Sequence, residues 1–126
     1  MRHETLWFDD GNVVIASEDM LFRLHRGIVC HHSQVFRDMF SAPHTGESTD
    51  VVEGCPVVRV SDSGENLASF FTLLYDGGKD PFFNPDTAPS FRTVRAMLIL
   101  ATKYDVEHVR AEALRRLHLR CYTTLA

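Results

Sequence analysis

The side chains in this chain best suited to chemistry are histidines and cysteines. Cys30, His31 and His32 are consecutive, and His44 and Cys55 follow. Zinc uses such ligands, but tetrahedral sites draw on pairs at C-x₂₋₄-C or H-x₃₋₅-H spacing, and this set has neither. Cys30 continues the apolar run of Ile28 and Val29, the setting of a buried free thiol. A small metal-binding protein or enzyme built on Cys30, His31, His32, His44 and Cys55 therefore stands as the alternative reading. Zinc content after purification under reducing conditions discriminates it. No G-x-S-x-G and no cysteine signature marks a nucleophile. His25, between a strand pattern and a helix pattern, reads as a hydrogen-bonded structural histidine rather than a general base. Gly77-Gly78-Lys79 follows a helix, whereas a phosphate-binding loop needs a strand before it and a helix after it, so these glycines read as a helix stop. No cofactor is expected.

Phe82 and Phe83 are different. Two adjacent aromatics in a loop with Pro81, Pro85 and Pro89 cannot easily both point inward. One packing down and one half-exposed is the structural reading; a partner contact is the functional one. Phe36, Phe40, Phe70 and Phe71 fall at helical spacing and read as core stripes.

Charge narrows the partners. Residues 1–90 carry 6 basic and 14 acidic side chains, a balance of −8, while residues 91–126 carry 7 and 3, a balance of +4. An acidic body lacks the basic footprint of a nucleic-acid binder, so the arginines between Arg110 and Arg120 read as a solvated helix face. Ala96–Ala101 is the longest apolar run and is far short of the ~20 residues of a membrane span. No secretory signal is visible at the N-terminus, and the three cysteines are odd in number and widely spaced, so the expected setting is a reducing intracellular one, cytoplasm or nucleus.

The elements that position these residues follow from pattern. A length of 126 residues accommodates one domain, 1–126, with 1–8 and 120–126 expected as frayed ends. Asn12–Ala16 and Met20–Leu24 read as an antiparallel pair joined by Ser17-Glu18-Asp19. A short helix over His25–His31 precedes one capped by Ser33 and ended by Pro43. His44–Gly54 reads as loop, and Val57, Val58 and Val60 as a third strand. Asp62-Ser63-Gly64-Glu65 predicts a capping box opening a helix with Leu67, Phe70, Phe71 and Leu74 on one stripe. Ser90 caps a helix through Tyr104 whose centre, Ala96–Ala101, is apolar all round and predicts the most buried element. Asp105 is the candidate cap of a last helix. Strands early and helices late predict an α+β domain, a three-stranded sheet packed on about five helices.

Asn12–Phe40 (NVVIASEDMLFRLHRGIVCHHSQVFRDMF) resembles the opening half of a BTB/POZ domain. That family shows Asp-Val-x-Leu, Phe-x-x-His-Lys/Arg, a Val-Leu pair and Ser-x-x-Phe-x-x-Met-Phe. The matching positions here are Val13, Ile15, Phe22, His25, Arg26, Ile28, Val29, Ser33, Phe36, Met39 and Phe40. Leu73–Gly77 and Leu98–Tyr104 are similar to two later helix ends of the family, and FDDGNVVI resembles its fungal members.

The resemblance implies a non-catalytic protein–protein interaction module. Its expected partners are a second copy, another BTB-like protein, or a cullin or corepressor for which it acts as adaptor. It also implies a charged pocket at the positions of Asn12 and Arg26, although asparagine cannot supply the family's carboxylate there. In cullin-binding relatives the loop after the Met-Phe helix end carries an apolar-x-Glu element. At that offset this chain has Thr45-Gly46-Glu47, and Val51-Val52-Glu53 is the better chemical match. Val51 and Val52 alternatively just lead into the third strand. Met39, Phe40, Val51, Glu53, Phe82 and Phe83 are thus the candidate partner-binding residues.

Overall fold

The computed structural model describes the backbone of residues 1–41 and 51–125 and the side chains of 1–41 and 51–120. Val13, Val14, Ile15 and Ala16 are all buried, as suits a strand with neighbours on both sides and packing on both faces. This strand, β2 (Val13–Ala16), runs between β3 (Leu21–Leu24), its antiparallel hairpin partner, and β5 (Cys55–Arg59), which is parallel to it with Ile15 opposite Val58. β3 alternates, with Phe22 and Leu24 inside and Leu21 and Arg23 half-buried.

Among the described residues the sheet has five strands, not three, in the order β1-β3-β2-β5-β4. The additional strands are its edges. β1 (Arg2–Trp7) pairs parallel to β3, so residues expected as a frayed end belong to the sheet. Only Leu6 of this strand is buried, which is why no apolar pattern announces it. Between its pairings at Arg2 and Trp7, β1 uses five steps where β3 uses two. His3 shapes that bulge: its Nδ1 accepts from the backbone N–H of Leu6 at 2.9 Å, and its ring stacks on Phe22. β4 (Val51–Val52) pairs antiparallel to β5 through a two-residue turn, Glu53-Gly54, in which both residues have positive φ, 51° and 79°. That is the geometry of a tight primed hairpin turn, which Gly54 adopts without strain.

Among the described residues there are five α-helices: α1 (Arg26–His32), α2 (Gln34–Ser41), α3 (Gly64–Asp76), α4 (Phe91–Lys103) and α5 (Glu107–Leu125), the last continuing through residues expected to fray. Ser90, the expected cap of α4, accepts from the N–H of Thr93, and α3 is capped by Ser63, which accepts from the N–H of Asn66. Ser33 does more than cap α2. Fully buried, it accepts from Phe36 N–H at 3.1 Å and donates to the Tyr104 carbonyl at 2.6 Å, joining α2 to the end of α4. Gly64 starts α3 where a Cβ would lie 2.8 Å from Met20 Cβ, so a glycine is what allows α3 to close on the β2–β3 turn.

Three expectations change. Asp62 does not cap α3; its carboxylate receives Lys103 Nζ at 2.8 Å and the Tyr104 hydroxyl. Asp105 sits in the left-handed region at φ 54° between α4 and α5, a conformation aspartate tolerates, rather than capping α5. α4 is not buried all round, because Ile99 is 48% exposed. α3 is the central helix instead, with Leu67, Phe70, Phe71, Leu73 and Leu74 in the core. Phe36 stacks on Tyr104 with ring centroids 4.3 Å apart, and Phe71 meets Phe22 edge-on at 5.2 Å. Each such ring is worth about 1.5–3 kcal/mol of burial.

Candidate interaction surface

His25 sits between β3 and α1, facing Tyr75 of α3 and Asp10 of the β1–β2 loop. Its backbone N–H donates to Tyr75 Oη at 2.8 Å, Nδ1 lies 2.8 Å from the same oxygen, and Nε2 lies 2.8 Å from Asp10 Oδ1. One assignment satisfies all of these: Tyr75 donates its proton to Nδ1, and Nε2–H donates to Asp10. Burial pushes the Tyr75 hydroxyl up to about 12, so it stays protonated at neutral pH and offers no phenolate. The hydrogen bond from His25 holds the Asp10 carboxyl below its ordinary value. Phe8 stacks on Tyr75 at 4.9 Å and closes the cluster. This is a structural junction with its protons already committed, as the sequence reading of His25 expects.

The charged-pocket positions meet, though not as a charge pair. Asn12 Oδ1 accepts from the backbone N–H of Arg26 at 2.7 Å, satisfying a free donor at the start of α1. The Arg26 guanidinium reaches Ser41 Oγ at 3.3 Å.

The six partner-binding candidates do not form one surface. Phe40 is core. Met39 is half-buried on α2 and lines a groove of about 600 Å³ with Val35, Val60 and Tyr104. Val51, on the edge strand, is 56% exposed. Glu53 is already occupied: its carboxylate receives Arg2 from β1 and Arg23 from β3, the latter at 2.8 Å. Thr45-Gly46-Glu47 and His44 lie outside the described residues.

Phe82 is buried and Phe83 half-buried in a turn, Pro81–Phe83, within the proline-rich loop. Asp80 begins that turn by accepting from Phe82 N–H at 2.9 Å. The loop is held by Arg116 of α5, which the sequence reading placed on the solvated face. Its guanidinium donates to the carbonyls of Phe82 at 2.9 Å, Asn84 and Thr87, while Nε meets Glu112 at 2.9 Å. Burial pushes the Glu112 carboxyl up, but Arg115 and Arg116 outweigh it and hold it below its ordinary value. A signal for Arg116 existed: it lies seven residues after Val109 and three after Ala113, on the buried stripe of α5.

Phe83 stacks on His108 at the start of α5, and His108 packs against His32, whose ring meets His31. Burial holds His32 and His108 below the ordinary imidazole value, His32 also through its histidine neighbours. Among the described residues no three His, Cys, Asp or Glu side chains are placed to hold a metal ion, and the metal-binding alternative gains no support. Cys55 points its thiol at the Gly11 carbonyl, and burial pushes the Cys30 thiol up. Among the described residues no helix is long and apolar enough to cross a membrane.

With this strand and helix order in place, the comparison with known families is specific: residues 6–118 match the BTB/POZ domain. The chain belongs to the BTB/POZ family, whose domains are generally protein–protein interaction modules. No curated protein matches it.

Proposed function

We propose that this domain is a non-catalytic adaptor that engages a protein partner, inside the cell, through the groove between α2 and the end of α4. The groove itself carries the reading. Val35, Met39 and Val60 give it apolar lining, and Glu18, Arg59 and Lys103 give it charged lining. A protein interface combines apolar and polar surface in this way. Met39 replaces Phe40 and Glu53 as the residue to change, because those two are committed to the core and to Arg2 and Arg23. Val51 is a second, separate contact. A cullin N-terminal domain is the partner to try first and a corepressor peptide the next.

The test is a calorimetric titration of that cullin domain into wild type, Met39→Asp and Val51→Asp. Binding that is lost in Met39→Asp supports the groove. No binding by the wild type removes the ligase-adaptor version, and equal binding by all three proteins moves the contact elsewhere.

Self-assembly is a second reading, favoured by the position of β1 and β4 at the two edges of the sheet. An edge strand can take a strand from a second copy or from another BTB-like protein. Sedimentation at micromolar concentration decides; a monomer throughout removes the homomeric version.

A further inference from the structure

The proline-rich loop between α3 and α4 encloses space that the preceding reading does not use. A cavity of about 310 Å³ opens between α3, α4 and the loop, with Leu73 and Met97 as apolar walls. A second, of about 350 Å³, is walled by Pro81, Thr87, Ala88 and Pro89. Both are lined by Asp80, Phe82 and Thr93, so the two compartments adjoin at those residues.

We propose that this groove binds an extended peptide that places an apolar side chain against Phe82 and a lysine or arginine beside Asp80. Asp80 is the one charged residue lining either compartment. One of its oxygens is fixed by Phe82 N–H, and among the described residues no cation pairs with the carboxylate. A basic group is therefore the complement the groove lacks, and an anionic ligand is disfavoured. Two linked compartments suit two side chains of one extended chain better than a single compact ligand, and each lies near the lower end of ordinary ligand pockets. Ser69 supplies a hydroxyl that a peptide backbone can use, whereas Thr72 Oγ1 already donates to the Ala68 carbonyl at 2.8 Å and Thr93 Oγ1 is bonded to Ser90 Oγ at 3.0 Å.

The loop does not have to be ordered by the ligand. Arg116 already holds three of its carbonyls, and Thr87 Oγ1 donates to Asn84 O at 2.8 Å within it. A preformed groove avoids the ordering penalty that weakens binding to mobile loops.

The experiment uses the full chain, ¹⁵N-labelled, and three probes: acetyl-Leu-Lys-Leu-amide, acetyl-Leu-Glu-Leu-amide and n-butylamine. The expected result is saturable shifts at the amides of Thr72, Phe82 and Thr93 with the lysine peptide. Affinity should fall about tenfold for the glutamate peptide and for butylamine, as loss of charge or apolar complementarity predicts. Asp80→Asn keeps the acceptor for Phe82 N–H and removes the charge, so it should abolish the preference for lysine over glutamate. Thr72→Lys, at the groove wall, should block the first compartment and lose the shifts; it tests the same groove if Asp80→Asn does not fold. The proposal is overturned by no saturable shifts at those amides, by a lysine preference that survives Asp80→Asn, or by butylamine binding as tightly as the peptide.

Discussion

Around His25 the chain is held by several partners at once, whereas around Phe82 it is held mainly by one side chain. The first junction joins Asp10, His25, Tyr75 and Phe8 through hydrogen bonds spread over several side chains and stacked rings, with Asn12 beside it on the Arg26 N–H. The second gathers three loop carbonyls and a carboxylate on the Arg116 guanidinium. Both fix an irregular segment against a helix. The difference lies in how the loss of one residue spreads. In the first junction each deletion leaves the other contacts standing. In the second it strips several polar groups of their partner together, and unpaired buried polar groups are the expensive outcome.

The largest expected effect follows from that contrast. Arg116→Ala should lower stability by about 3–5 kcal/mol, since it leaves the carbonyls of Phe82, Asn84 and Thr87 without their shared donor, while Glu112 keeps Arg115. Arg116→Lys should recover less than half of this, because an ammonium cannot present the same fork of donors. Urea denaturation measures both, and hydrogen exchange should show residues 80–90 losing protection ahead of the sheet. A loss below about 1 kcal/mol would make the two junctions equivalent and break the comparison.

Tyr75→Phe should cost about 1–2 kcal/mol, because two nitrogens of His25 lose the hydroxyl while the ring stays stacked on Phe8. Asn12→Ala should cost about 1 kcal/mol through the uncapped Arg26 N–H, and Asn12→Asp should be neutral or slightly stabilising beside a helix start. An Asn12→Ala loss as large as that of Arg116→Ala would reverse the ranking.

The smallest effect is a pH response of the second region. His32 and His108 are both held below the imidazole value of 6.5. The unfolded chain therefore takes up protons first as pH falls, so the stability these groups contribute is present above that value and is lost as pH drops through their folded values. Melting temperature should fall between pH 7 and pH 5, and His108→Gln should flatten the slope. An unchanged slope in that variant would assign the response to other groups.

Legibility in the sequence followed the length of each pattern. α3 and α4 announced themselves through apolar stripes, α4 also through its cap Ser90, and Ser33 through the helix it opens. β4 is two residues long, and β1 buries only Leu6, so neither could produce a period. Asp62 was misread because a neighbouring serine competes for the same cap and its true partner, Tyr104, is 42 residues away. Arg116 was hidden among Arg110, Arg115 and Arg120, since side-chain type alone does not tell a buried guanidinium from a solvated one. The aromatic pair was legible as one ring down and one half-out, which is what Phe82 and Phe83 do. Their surroundings were not legible, because α5 supplies them from far along the chain.

The parallel pairing of β2 with β5 has a kinetic consequence. The β2–β3 hairpin can form from neighbouring residues, but Ile15 meets Val58 only after the chain between them has been looped back. Loop closure must precede any reward from that contact, which makes it the natural bottleneck of folding. Truncating Val58 should therefore slow refolding, while truncating residues in α5 should mainly speed unfolding. Stopped-flow chevrons would expose the opposite pattern. On this account the β4–β5 hairpin that carries Glu53 forms locally but docks on β2 late, and the clamp from Arg2 and Arg23 closes over a sheet whose rate-limiting step has already passed.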